Sequence, residues 1–556
     1  MKENMQENSH LSVLVVDPNP GMRGNLQNML SQAGIGKIEF AVSSGTAIRA
    51  LGRRSYDIVL CEYDLGAETG QDGQQLLEDL RHHQLIGPAA IFIMLTSEGI
   101  QSRVVSAAEL TPTDYVLKPF TMDDLGSRIA RALDRRAALL PAWQLVEKSN
   151  LREAIGLCAE HHRHLRYAHD FARLRAELHV RLGELAEAQG VYASVVADKP
   201  LGWAILGLAR VLFALGRAED ARATVERLLA ANPRLMVAYD LLARCHEALG
   251  DVDQAQKVLE EAVARSPHVV RRLRKLGEVA FEAGDLGAAE KSFKLVVAKA
   301  RYSEFRDPED HVKLVKTLVA RGDMLQATSV IRDLEKSLRG SPAVDTCKAV
   351  SSALLHEAEG DGAAAVAQLQ AAVSGVRAGS TISGALRVDL ARSCLAHRLD
   401  TEAKDIMLTV MSGADGGAGG TAGVTRQQAL NVFVKAGRQD LANGIDAQLK
   451  AQAQILLGMA DEKRKMGDVR GAVITLQEAL QIAPGNLQVM VALAGGMLRQ
   501  ILELGWDHVL AEGCAALLAR IAALDDAHPR LAALQDELAA AKRKYGISHP
   551  RAGAEP

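Results

Sequence analysis

The stretch EALGDVDQAQKVLEEAVARSP, residues 247–267, decides most of this fold, because a close copy of it follows. The segment EAGDLGAAEKSFKLVVAKA, residues 282–300, superposes on it with Gly250 matching Gly284 and Ala255 matching Ala289, each 34 residues apart. Both segments carry a glycine followed five residues later by an alanine inside a helical pattern. Self-similarity at a fixed period of this length predicts a stack of repeated helical units.

The same signal runs through most of the chain. The small residue recurs at Ala154, Ala188, Ala221, Ala255, Ala289, Ala327, Ala365, Ala403, Ala442 and Ala472. A glycine precedes it by five residues at Gly183, Gly216, Gly250, Gly284, Gly322, Gly360, Gly437 and Gly467. Glycine permits the tight turn between two antiparallel helices, and alanine lets their backbones approach. We therefore predict ten helical hairpins over residues 138–499, interrupted by a Gly-rich loop at 412–423, and a helical cap over 500–545.

The spacing of glycine, alanine and proline resembles that of tetratricopeptide repeats, most strongly from about residue 180 to 300. The resemblance implies a protein or peptide partner, bound along the surface lined by the first helix of each hairpin, which we call the groove. The expected groove residues are Trp203, Arg210, Phe213, Arg244, Arg271, Arg274 and Phe281. Aromatic and arginine side chains are common anchors of protein interfaces. The alternative is that these aromatics pack between neighbouring helices and the arginines are solvated.

Residues 10–136 differ in pattern, because apolar strands alternate there with amphipathic helices. Such alternation predicts an α/β domain with a doubly wound parallel sheet, whose functional residues lie at the carboxyl ends of the strands. Asp17, Glu62, Thr96 and Lys118 each fall at such an end. We expect them to converge on one pocket.

This domain resembles the receiver domain of bacterial response regulators. VLVVDPNPGMR at 13–23, Thr96, and YVLKPF at 115–120 match the family's motifs in order, with Tyr115 at its switch aromatic. The resemblance implies an aspartate that accepts a phosphoryl group, and two acidic residues that help to hold Mg²⁺. Glu62 stands at the acceptor position and Pro18 replaces the second acidic residue. We therefore expect no efficient phosphorylation and only a weak Mg²⁺ site at Asp17 and Glu62.

Two interpretations of Glu62 remain open. Its carboxylate can imitate a phosphoryl group, engage Lys118 and Thr96, and hold the domain in an active-like state. Alternatively the site has decayed and the domain is only a folded docking unit.

The rest of the sequence excludes several function classes. The net charge of -3 offers no bulk attraction for nucleic acid, and no nucleotide-binding or nucleophile motif is present. Six dispersed cysteines and no apolar run of about 20 residues predict a cytoplasmic protein without membrane spans. The histidines at 161, 162, 164 and 169 lack metal-binding spacing.

These observations favour a non-enzymatic signalling adaptor in a two-component system. We expect its partner to be a protein bound by the array. A histidine kinase or another receiver is a further candidate, and the chain can also form a homodimer. The alternative is a constitutive scaffold that uses the receiver fold only for docking or dimerisation.

Overall fold

We analysed a computed structural model of the chain. It describes residues 9–66, 72–87, 89–97, 113–161, 166–233, 235–267, 269–300, 306–337, 342–411 and 426–545. The chain forms two compact units, residues 1–327 and 328–556.

The N-terminal part of the first unit is a five-stranded parallel sheet in the order β2-β1-β3-β4-β5. The strands are β1 (Ser12–Val16), β2 (Lys37–Ala41), β3 (Ile58–Glu62), β4 (Ile91–Ser97) and β5 (Asp114–Lys118). The first helices are α1 (Pro20–Gln32), α2 (Ser44–Arg53) and α3 (Gly73–His82). The predicted doubly wound α/β fold is confirmed. Sequence reasoning did not identify β2 and α2, because the edge strand KIEFA is half exposed and lacks a continuous apolar run.

Apolar side chains cover both faces of the sheet. One core cluster joins β1, β3 and β4 to α2 and α3, and it includes Val59, Leu76 and Met94. The other joins the same strands to α1 and the last helix of the domain, and it includes Leu60, Leu26 and Ile129. Since both faces are covered, the polar side chains of the central strands β1, β3 and β4 lie at strand ends, and the pocket lies at their carboxyl ends.

The last helix of the sheet domain is also the first helix of the array. Helix α4 (Met122–Glu147) contributes Ile129 to the sheet core and Leu139 to a cluster with Cys158 and Phe171 of the array. The predicted boundary at 136–138 therefore falls inside a continuous helix. Sequence reasoning placed the break where the strands stop, although the amphipathic pattern of α4 runs past that point.

The rest of the first unit consists of paired helices. They are α5 (Leu151–Glu160), α6 (Ala168–Arg181), α7 (Leu185–Asp198), α8 (Gly202–Ala214), α9 (Ala218–Ala231), α10 (Met236–Ala248), α11 (Val252–Arg265), α12 (Val270–Glu282), α13 (Leu286–Ala300), α14 (Glu309–Ala320) and α15 (Met324–Ser337), the last of which crosses into the second unit. The first helices of successive hairpins are α6, α8, α10, α12 and α14.

The glycine and alanine positions behave as the sequence predicts. All eight predicted turn glycines have φ between 72° and 83°, and all ten predicted alanines are at most 4% exposed. The two hairpins without a glycine place Ser149 (φ 58°) and Arg398 (φ 60°) at the equivalent turn position. The turn therefore imposes a left-handed backbone even where the sequence supplies no glycine.

The second unit continues the array. Its further helices are α16 (Pro342–Glu359), α17 (Gly362–Arg377), α18 (Gly384–Ala396), α19 (Asp400–Met411), α20 (Arg426–Lys435), α21 (Gln439–Lys465), α22 (Val469–Ile482), α23 (Leu487–Leu504), α24 (His508–Leu524) and α25 (Leu531–Lys544). The 27-residue α21 serves two hairpins, since it carries Ala442 and also pairs with α22. The predicted Gly-rich loop at 412–423 lies outside the described residues.

The predicted cap at 500–545 begins inside α23 rather than at a break. In the described part of the chain, α23 is the one helix long and apolar enough to cross a membrane. The sequence predicted no membrane span, and the length and apolar character of α23 depart from that expectation. Its residues Met490, Leu493 and Leu498 are buried in one cluster with α22, α24 and α25. That packing is the one expected of a core helix of the array.

Candidate functional site

The receiver pocket forms where β1, β3 and β5 end. The Lys118 ammonium pairs with Glu62 Oε2 and lies 3.5 Å from Asp17 Oδ2. Glu62 Oε1 accepts a hydrogen bond from the backbone N–H of Asp64 at 3.1 Å. Both oxygens of the Glu62 carboxylate are therefore engaged inside the pocket.

The residues present do not suit a Mg²⁺ ion well. Mg²⁺ requires several oxygen ligands, usually including one or two carboxylates. Glu62 is paired with Lys118, Pro18 has no ligand atom, and Asp17 Oδ1 accepts from the Asn19 N–H at 2.8 Å. Of the pocket's carboxylate oxygens, only Asp17 Oδ2 is buried without a hydrogen-bond partner among the described residues. The Lys118 ammonium supplies the positive charge that a metal ion would otherwise bring to these carboxylates.

Thr96 lies near the carboxyl end of β4, whereas Tyr115 lies near the start of β5, opposite Met94. Thr96 is fully buried, and its hydroxyl has no hydrogen-bond partner in the described part of the chain. Tyr115 packs against the core shared with α3, and its hydroxyl is buried. Burial and the neighbouring Tyr63 raise the pKa of Tyr115, while Arg81 opposes the shift. Of the two predicted contacts to Glu62, Lys118 makes one and Thr96 makes none.

Sequence reasoning missed Gly73, the first residue of α3. Its N–H donates to the Tyr63 carbonyl at 2.7 Å. A Cβ at this position would lie 2.4 Å from the Glu62 carbonyl oxygen and 2.9 Å from Met94 Sδ. Helix α3 therefore begins in direct backbone contact with the end of the strand that carries Glu62. The only sequence signal was a glycine directly after the helix N-cap residue Asp72.

The predicted groove aromatics are partly buried between helices and each lies beneath a cation. Arg173 lies over Trp203 at 5.7 Å, Arg244 over Phe213 at 4.8 Å, and Lys316 over Phe281 at 5.3 Å, measured to the ring centroids. Trp203 and Phe213 also pack at the edge of apolar clusters. Trp203 and Phe213 therefore pack partly between helices, as the alternative expects, while partner binding by these aromatics stays a prediction.

Several groove charges are used between neighbouring repeats. Arg272 of α12 makes two hydrogen bonds to Asp240 of α10, at 2.7 and 3.0 Å. Arg274 makes two to Asp310 of α14, at 2.5 and 2.8 Å. The pairs Lys275–Glu247 and Lys313–Glu278, both at 2.6 Å, connect the same three helices. Arg274, expected to contact a partner, is thus committed to a buried aspartate, and Arg272 was not expected at all.

The exposed groove cations are Arg210, Arg244 and Arg271. No ion pair joins them to an acid among the described residues. This stretch of the groove therefore carries excess positive charge.

The described residues contain no group of three or more His, Cys, Asp or Glu that could hold a metal ion. His161 lies at the end of α5 with its Nδ1 2.9 Å from the Leu157 carbonyl. His162 and His164 lie outside the described residues.

Comparison with known proteins agrees with both halves of this description. A profile of the response regulator receiver domain matches residues 13–130. Two tetratricopeptide repeat profiles match residues 183–245 and 241–304.

Among curated proteins, the chain is similar to chemotaxis protein CheY-3 of Vibrio cholerae serotype O1, at 25% identity over 128 residues, covering 23% of this chain and 95% of the relative. It is also similar to chemotaxis protein CheY of Pseudomonas aeruginosa, at 26% identity over 125 residues, covering 22% of this chain and 98% of the relative. A solved structure of PilW, a type IV pilus biogenesis factor, aligns at 19% identity and a TM-score of 0.31, covering 37% of this chain and 94% of that one. The TM-score is too low to carry an argument.

Tetratricopeptide repeats generally mediate protein–protein interaction, and receiver domains belong to two-component signalling. Neither kind of domain is generally catalytic. The chain therefore carries a response regulator receiver domain at its N-terminus, followed by a tetratricopeptide repeat array, and it is a signalling-related protein.

Proposed function

We propose that this chain is a signalling adaptor in which a receiver domain that does not accept phosphate is joined to a repeat array that binds a partner protein. The observation that carries the proposal is the state of Glu62. Its carboxylate is paired with Lys118 and also accepts the Asp64 N–H. A carboxylate held by both oxygens is a poor nucleophile for an incoming phosphoryl group.

The pocket supports a fixed charge rather than a reaction centre. Glu62 supplies one negative charge and two acceptor oxygens, whereas a phosphoryl group supplies about 1.5 to 2 charges and three acceptors. Lys118 is engaged, but the Thr96 hydroxyl is not. Glu62 therefore reproduces part of the phosphorylated arrangement.

Incubation with acetyl phosphate and Mg²⁺ tests the receiver half of the proposal. Intact mass should show no single-site phosphorylation of the parent chain, whereas Glu62→Asp combined with Pro18→Asp should restore it. Phosphate on Glu62 of the parent would refute the proposal. The single change Pro18→Asp is the matched control, since it adds a metal ligand without changing the acceptor.

The groove supports a partner with acidic and apolar elements. Arg210, Arg244 and Arg271 are exposed cations, and Trp203, Phe213 and Phe281 are partly exposed. The Arg244 guanidinium lies over the Phe213 ring. Arginine and aromatic anchors of this kind commonly dominate the binding energy of an interface.

Changing Arg210, Arg244 and Arg271 together to alanine tests the groove. We expect at least a tenfold loss of affinity for the partner proteins that the full parent chain retains, since each such anchor contributes about 1 kcal/mol or more. The matched control is a triple alanine variant of Arg222, Arg227 and Lys257, which lie on second helices. Equal losses in the two variants would place the binding surface elsewhere.

The runner-up is a constitutive scaffold, which the shared helix α4 favours because it leaves no break between the receiver and the first hairpin. Partner affinity that stays the same in Glu62→Gln would support the scaffold. We further propose that the chain acts in the cytoplasm without catalysis, and that a histidine kinase, another receiver or a second copy of the chain is a candidate for docking on the receiver.

A further inference from the structure

Strand β2 forms one edge of the receiver sheet, because in the described sheet it pairs only with β1. The Asp17 N–H donates to the Ala41 carbonyl at 3.1 Å, so the backbone of Ala41 faces β1. Backbone direction alternates along a strand, which turns the N–H and C=O groups of Ile38 and Phe40 away from the sheet. The outer side of β2 can therefore pair with another strand.

The side chains along this edge are exposed. Phe40 is 36% exposed, and Val42, directly after the strand, is 48% exposed. Lys37 is exposed and forms no ion pair among the described residues. The Glu39 side chain is 44% exposed and pairs with Arg54 at 2.5 Å. Exposed apolar side chains thus accompany charges of both signs, so this edge is not protected by one repelling charge.

A second copy of the same edge fits this one in an antiparallel pairing centred on Ile38. The two copies then exchange backbone hydrogen bonds where Ile38 meets Ile38 and where Gly36 meets Phe40. Lys37 of each copy lies opposite Glu39 of the other, at positions where cross-strand side chains approach most closely. A Cβ on Gly36 would meet no atom within 4 Å, so the space beside this glycine is open to the Phe40 ring of the second copy. The edge is therefore complementary to itself.

The neighbouring two-fold registers are unfavourable. Centring the pair on Lys37 or on Glu39 would place identical charges opposite each other. Centring it on Phe40 would require the Val42 N–H, which already donates to Thr46 Oγ1 at 3.1 Å. The register described above satisfies both the charges and the backbone donors, and a shift by one residue would lose this match.

We propose that two copies of the chain associate through β2, which joins their receiver sheets across a two-fold axis. The association goes beyond the proposed function, and it depends neither on the groove nor on Glu62. Its consequence for binding does rest on the proposed function. Because α4 belongs to both the receiver and the array, each dimer carries two grooves, and a partner with two recognised segments gains affinity.

Charge exchange in the full chain tests the register, with sedimentation over a concentration series as the measurement. Lys37→Glu and Glu39→Lys should each raise the dissociation constant of the dimer about tenfold or more, since both cross-strand pairs become like-charge pairs. An equimolar mixture of the two variant chains should recover the association of the parent, because unlike charges again meet across the axis. Lys257→Glu makes the same charge change at an exposed position on α11 and is the matched control, which should sediment like the parent.

A crosslink keeps the test decisive if either variant folds poorly by circular dichroism. In a mixture of isotope-labelled and unlabelled parent chains, a zero-length carbodiimide should join Lys37 of one copy to Glu39 of another. Mass spectrometry of the mixed-isotope peptide separates this link from one within a single chain.

Three results would overturn the proposal: a parent chain that stays monomeric at its highest soluble concentration, a mixture of folded variants that does not recover association, or a link confined to single chains. A monomeric parent that still binds its partner proteins would refute this association and leave the adaptor function standing. A dimeric parent that binds no partner would do the reverse.

Discussion

In the receiver pocket one lysine is shared by two carboxylates, whereas in the groove Arg210, Arg244 and Arg271 form no ion pair with any described acid. The pocket contains Asp17, Glu62 and Lys118 within hydrogen-bond or ion-pair distance, all mostly buried. In the groove, Arg272 and Arg274 are paired with aspartates of neighbouring repeats. Arg210, Arg244 and Arg271 are exposed instead. A site whose charges are satisfied internally has little electrostatic affinity left for a ligand, and a site with excess charge retains it.

Paired and unpaired arginines also occur side by side within one helix. Arg271, Arg272 and Arg274 lie within four residues of α12, and among the described residues Arg272 and Arg274 pair with an aspartate of a neighbouring repeat while Arg271 does not. Helical geometry sends consecutive side chains in different directions. Removing paired and unpaired charges should therefore have different effects on stability.

The largest effect is expected for Asp240→Ala. This change leaves the Arg272 guanidinium, whose side chain is 1% exposed, without its carboxylate. We expect a loss of about 3 kcal/mol in the free energy of unfolding, measured by urea denaturation, since an uncompensated buried charge is costly. Glu247→Ala is the matched control on the same helix. It breaks a pair whose lysine is 39% exposed and should cost less than about 1 kcal/mol. Equal losses would contradict the distinction between buried and exposed pairs.

A smaller loss is expected for Lys118→Met. Glu62 and Asp17 would then be two mostly buried carboxylates without a cation, at a cost of about 2 kcal/mol to the receiver. Hydrogen exchange of the amides in β3 and β5 reports the receiver separately from the array. Adding Glu62→Gln to Lys118→Met should recover most of the loss. If the double variant is no more stable than the single one, the pocket does not depend on charge balance.

The smallest effect, a gain, is expected for Arg398→Gly. Arg398 is exposed and has φ 60°, the left-handed value that its glycine counterparts adopt without strain. Relief of that strain, less the added freedom of glycine in the unfolded chain, should stabilise the second unit by about 0.5 kcal/mol. Gly360→Ala is the converse control at the preceding turn and should destabilise by about 1 kcal/mol. A loss of stability in Arg398→Gly would show that the arginine side chain makes a contact worth more than the strain.

The sequence by itself determined the repeat array, because the turn and the helix crossing each depend on one small residue. A buried alanine marks each of the ten predicted periods and a glycine with φ between 72° and 83° marks eight of them, and both are readable without coordinates. The receiver motifs were readable for a similar reason, since Asp17, Glu62, Thr96 and Lys118 must fall at the ends of apolar strands. The half-exposed edge strand β2 left no comparable mark and was missed.

Only the tertiary structure decided which charges pair and where the two domains join. Arg274 and Asp310 are 36 residues apart in the chain, and Glu62 and Lys118 are 56 apart, so no local pattern shows whether they meet. The continuity of α4 depends on two cores that bury opposite ends of one helix. Such contacts arise from packing between distant segments, whereas turns and strand ends are fixed by residues adjacent in sequence.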